Sequence, residues 1–202
     1  MNRYVTRRAL IVLAWLLSLA FAVAGPVENY ADKLAPLIDP AKLAKLGSRA
    51  ANPRVQKCVY WLASAQKEKV EPAKAIDVAL LSVGMTNGTA AELTKAALLR
   101  NLTIAERLGC LAADGMDEMR RGKSPTVRRG RYRGQELSVD HIIPRTVVPE
   151  LDNVIANLEL LPLRLNESKN SKVAQRQRDL ARKLNKAGLL SDAGLKIVLQ
   201  HR

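Results

Sequence analysis

At 202 residues the chain is long enough for one ordinary domain, or for a small core with a helical extension. Apolar residues make up 48% but aromatics only 3%. The interior must therefore be built from Leu, Ala, Val and Ile, which disfavours an all-β sandwich. A net charge of +14 and a pI near 10.2 point to a polyanionic partner, either nucleic acid or an anionic membrane surface.

The chain opens with Arg3, Arg7 and Arg8, followed by an apolar run from Ala9 to Ala24. Small residues at Ala22 and Ala24 precede Gly25, so residues 1–24 read as a signal peptide, with Ala20 and Ala22 offering a second cleavage point. The run is shorter than the roughly twenty residues a membrane span needs, and an uncleaved anchor is the alternative. Either reading sends the remainder out of the cytoplasm, to the periplasm or beyond. Cleavage removes three arginines and no acid, leaving a charge of about +11.

Residues 25–121 are predicted to be helical throughout. Asn52 and Pro53 give an N-cap and a first-turn proline, and Val55, Cys58, Val59 and Leu62 repeat at helical spacing. Pro72 opens a further helix that Gly84 ends, and Thr89 with Glu92 forms a capping box for a long helix that Gly109 stops. These positions read as core and caps. The two cysteines, Cys58 and Cys110, are expected to pair as a disulfide after export, the alternative being two buried thiols. They offer no zinc site.

Composition then changes. Residues 122–135 form a Gly-containing stretch bearing Lys123, Arg128, Arg129, Arg131 and Arg133, just after Arg120 and Arg121. It reads as an exposed basic loop joining two parts and suited to phosphate. From residue 136 the order is strand (Glu136 to Ile143, broken by Pro144), loop, short strand (Leu158 to Leu161, closed by Pro162), helix to Lys186, and a last helix near Asp192 to Gln200. The expected class is α+β, mostly α.

Chemistry concentrates in residues 136–202. Asp140 is a hard oxygen ligand, and the adjacent His141 can take a proton from water near neutrality. Such a pair serves one site where a strand ends, as Pro144 suggests. The segment SVDHIIPR…LDNVIANLELLPLRLNESKNSK resembles the HNH nuclease motif of the ββα-metal (His-Me finger) superfamily, over about 35 residues. Asp140, His141 and Pro144 match its D-H-x-x-P. Asn157 and Asn166 match N-L-x-x-L-x-x-x-x-N, and Lys169 completes N-x-x-K. Asn166 stands where many members have His, and the zinc-binding cysteines found in many members are missing.

The resemblance implies a ββα-metal finger, which would stand between the helical N-terminal part, itself without such a resemblance, and the C-terminal helix. It implies His141 as general base, Asp140 and Asn166 as ligands of one divalent cation (magnesium, with manganese possible and no zinc), and Asn157 as the residue that holds the loop. Lys169 becomes a phosphate contact and Asn170 a rival ligand. Arg145, Arg164, Lys172, Arg176 and Arg178 could track a nucleic-acid backbone alongside Arg128, Arg129, Arg131 and Arg133. The implied activity is low-specificity hydrolysis of nucleic acid, with DNA the expected substrate, by an exported endonuclease. The competing readings are a non-catalytic nucleic-acid-binding protein on the same scaffold, and an envelope protein whose charge engages anionic lipid or polymer.

Overall fold

The computed structural model describes residues 25–86, 88–168 and 172–201; the expected signal peptide and Lys169 with Asn170 lie outside them. The molecule is α+β and mostly helical, with a two-stranded antiparallel sheet. Among the described residues six helices come first: α1 (Pro26–Ile38), α2 (Pro40–Leu43), α3 (Asn52–Lys67), α4 (Pro72–Ser82), α5 (Gly88–Arg107) and α6 (Ala113–Arg120). Strands β1 (Leu137–His141) and β2 (Leu158–Pro162) follow, then α7 (Leu163–Ser168), α8 (Gln175–Lys186) and α9 (Asp192–Gln200). Among the described residues no helix is long and apolar enough to cross a membrane.

Helix starts follow local chemistry. Prolines stand in the first turns of α1 to α4, where a missing N–H is harmless. Gly84 and Gly109 follow α4 and α5 with φ of +74° and +73°, a left-handed turn that glycine adopts at little cost. Two starts differ from expectation. The N-cap of α3 is Ala51, with Asn52 already helical, and α5 begins at Gly88, so Thr89 lies inside its first turn.

The helical region and the strands share one core. Leu34 and Ile38 of α1, Val55 and Leu62 of α3, and Leu98 and Leu102 of α5 pack in the same cluster as Leu137, Val139, Leu158 and Leu160 of the sheet. Sharing is needed because a lone two-stranded ribbon is marginal in water. Its hydrogen-bonding groups are also finished by helices. Asn101 of α5, wholly buried, donates to the Leu158 carbonyl (3.1 Å) and accepts from the Leu160 N–H (2.8 Å), so it covers the outer edge of β2 as a third strand would. Gln56 of α3 donates to the Leu137 carbonyl at 2.8 Å. A second cluster joins Ile143, Val148, Leu151 and Ala156 of the loop between the strands to Ala181 and Leu184 of α8 and Val198 of α9.

Three expectations change. The basic stretch is no loose linker. Val127 N–H bonds the Gln135 carbonyl and Gly134 N–H the Val127 carbonyl, each at 2.8 Å, closing a hairpin whose Val127 is buried in the shared core. The helix expected from about Leu163 to Lys186 is two helices, α7 and α8, and Val173 before α8 packs in the second core. The Cys58–Cys110 disulfide is not formed: both cysteines are free and buried, each sulfur filling its own place in the core. The Cys110 thiol rests against the Thr126 carbonyl at 3.6 Å. Burial pushes the Cys58 thiol to about 12 and the Cys110 thiol to about 11, so neither is a nucleophile at neutral pH.

Candidate functional site

Strand β1 ends at His141, where the ladder pairs Asp140 with Glu159 and His141 with Leu158. Cross-strand partners share a face, so Asp140 and Glu159 would set two carboxylates side by side. Arg176 relieves this by pairing with the buried Glu159 at 2.6 Å. Asp140 and His141 are themselves largely buried, each 8% exposed.

The chain after β1 is held by Asn157, which is fully buried. Its amide accepts from the Ile143 N–H (2.8 Å) and donates to the carbonyls of Ile143 (3.0 Å) and Leu151 (3.4 Å). One side chain therefore fixes both ends of the loop between the strands.

A residue that sequence reading did not single out, Asp152, meets His141. The imidazole Nε2 lies 2.9 Å from the Asp152 carbonyl and 2.9 Å from its Oδ1. A carbonyl only accepts, so Nε2 is the donor in this contact. Burial raises the Asp152 carboxyl, but the Arg49 N–H, Ser48 and His141 together outweigh it and hold the group below its ordinary value of 3.8. The Arg49 N–H reaches Asp152 Oδ2 at 3.2 Å across 103 positions of sequence. Asn153 beside it accepts from the Ala51 N–H and donates to the Gly47 carbonyl. The segment between α2 and α3 is thereby stitched to the loop that orients His141.

Asp140, His141 and Asn166 line one cleft of about 390 Å³ with Arg49, Asn52, Pro144, Arg145, Thr146 and Glu167. Asn166 on α7 donates its amide to Ser138 Oγ at 2.9 Å, which fixes the side chain and leaves the carbonyl oxygen as its acceptor. Asp140 and Asn166 offer hard oxygen donors, suited to magnesium or manganese rather than zinc. Asn52 Oδ1 in the same wall is a buried acceptor with no hydrogen-bond donor among the described residues, a cost a bound water or ion would offset.

The remaining candidates are scattered. Arg145 lines the cleft and donates to Ser48 Oγ at 3.1 Å. Arg164 is exposed on α7, where its N–H reaches Gln135 at the foot of the basic hairpin, and Lys172 is exposed beyond it. Arg178 donates to the His201 carbonyl at 2.9 Å. In the hairpin, Arg128 pairs with Asp114, Arg131 stacks over Tyr132 at 4.6 Å, and Arg129 and Arg133 are exposed. Arg49 escaped sequence reading because it reaches the cleft through a contact across 103 positions, and Asp152, in the loop after β1, reads with Asn153 only as a turn. Compared with known families, curated proteins and solved structures, the chain matches none.

Proposed function

We propose that the chain is a divalent-metal-dependent nuclease of the HNH type, with β1, the loop from Ile142 to Asn157, β2 and α7 as its ββα-metal finger. The observation that supports it is the convergence of Asp140, His141 and Asn166, from a strand and a helix, on one cleft that also holds Arg49 and Arg145. Phosphodiester hydrolysis needs a base for water and positive charge for the phosphate. Asp152 accepts the hydrogen bond from Nε2–H, so His141 takes the proton of the attacking water on Nδ1. As the water oxygen bonds to phosphorus, the bond from phosphorus to the 3′ oxygen breaks. The departing oxygen takes a proton from solvent, leaving 5′-phosphate and 3′-hydroxyl ends.

Asp140 and Asn166 would hold the cation, which when bound supplies charge opposite the phosphate and the leaving oxygen. Asn157 keeps the loop closed so that Asp152 stays on His141. The exposed arginines of the hairpin draw in the backbone without reading bases, which suits a DNA substrate of broad sequence. Export behind a signal peptide spanning residues 1–24 belongs to the same proposal.

The test is a plasmid assay with the full chain. Supercoiled DNA is expected to be nicked and linearised with magnesium, to stay intact with chelator, and to yield nicks that ligase reseals. No cleavage of DNA or RNA with magnesium or manganese, together with a DNA band shift, would hand the site to the non-catalytic binding reading.

A further inference from the structure

We infer that Arg49 is a catalytic phosphate-binding residue, carried into the His141 cleft by the helical region; the inference rests on the nuclease reading of that cleft. Three observations carry it. Arg49 lines the cleft beside Asp140, His141 and Asn166, and is exposed. Among the described residues its guanidinium makes no ion pair, in contrast to Arg176, Arg128, Arg121 and Arg120. Its backbone is also left-handed, φ +57°, a conformation that costs a residue with a Cβ.

That backbone is held from several sides. The Arg49 N–H is committed to Asp152 Oδ2 (3.2 Å), its carbonyl accepts from the Asn52 N–H (3.1 Å), and the Ala50 N–H bonds the Gly47 carbonyl (3.2 Å). Asn153 grips the same segment through the Ala51 N–H at 3.0 Å and the Gly47 carbonyl at 3.1 Å. Glycine would satisfy every one of these bonds without strain. A strained arginine in such a place is explained by its side chain. The bond that orients the base through Asp152 also sets where the guanidinium starts, so base and cation are positioned together. A guanidinium there offers planar paired donors to non-bridging phosphate oxygens, whose charge grows as water adds to phosphorus. Arg145, tied to Ser48, supplies a second cation on the same wall.

The experiment uses the full chain with magnesium on two substrates, plasmid DNA and bis(p-nitrophenyl) phosphate. The small diester has no distant phosphates, so only a contact at the scissile group affects it. Arg49→Gly is expected to lower kcat at least about 100-fold on both substrates, without lowering the melting temperature, because it relieves the left-handed strain. Arg49→Lys is expected to recover part of the rate, since it keeps a charge but not the fork. An Arg49→Gly protein that hydrolyses the small diester within about threefold of wild type would overturn the inference. So would activity lost together with a lowered melting temperature in both variants, which would mark a structural role. A wild-type chain inert on both substrates fails the nuclease reading and this inference with it. An active wild type matched by Arg49→Gly fails this one alone.

Discussion

Asp152 has two separable duties. As the carboxylate on His141 Nε2 it fixes the ring, so Asp152→Asn is expected to lower kcat roughly tenfold with KM little changed, because the main-chain carbonyl still accepts from the ring. As an acid held below 3.8 it stabilises the fold above that pH, and the contribution is lost as pH falls through its folded value. The wild-type melting temperature should therefore drop below about pH 4, and the Asp152→Asn substitution should flatten that drop. An unchanged acid limb in this variant would remove the carboxylate from the stability argument. Asn157 acts on the backbone alone. Asn157→Ala strands the Ile143 N–H and carbonyl in a buried place and is expected to cost about 2–4 kcal/mol in denaturant unfolding. A loss below about 1 kcal/mol would mean water reaches the loop.

At the scale of elements, the sheet depends on a helix that the sequence presents as ordinary. Asn101 has an amphipathic helix around it and no local mark of its role; only the packing of α5 against β2 shows that its amide closes the strand edge. Asn101→Leu is expected to destabilise by about 2–4 kcal/mol and to raise amide exchange at Leu160 before any change in α1 or α4. Equal exchange at Leu160 would show the edge is protected otherwise. The strands, the last helix and the proline starts could be read locally, since alternation, proline and glycine act within a few residues. The break before α8 had a local mark in Ser168, Asn170 and Ser171, which are poor helix formers, and Val173 beyond them packs in the second core. Cys58 was legible as a core position, whereas whether its sulfur meets that of Cys110 depends on how α3 and the turn after α5 come together.

For the whole molecule, charge is the property composition states most directly, and geometry decides which charges are available. Arg176, Arg128 and Arg178 are engaged within the protein, while Arg129 and Arg133 stand exposed on a hairpin whose base touches α7. Replacing Arg129 and Arg133 by Ala should weaken DNA binding similarly for all sequences and flatten the slope of log affinity against log salt by about 1.8. An unchanged slope would take the hairpin out of the interface. Composition changes at residue 122, but that change marks no boundary in the packing. One core crosses that point, and the segment between α2 and α3 reaches the cleft.

On the nuclease proposal His141 performs chemistry rather than only helping to bind. The direct measurement compares wild type and His141→Ala in single-turnover plasmid cleavage with magnesium, and in DNA affinity at the same salt. The expected result is a rate lower by about 10²- to 10⁴-fold with affinity kept within about twofold. Cleavage undiminished in His141→Ala, or rate and affinity falling together, would contradict it.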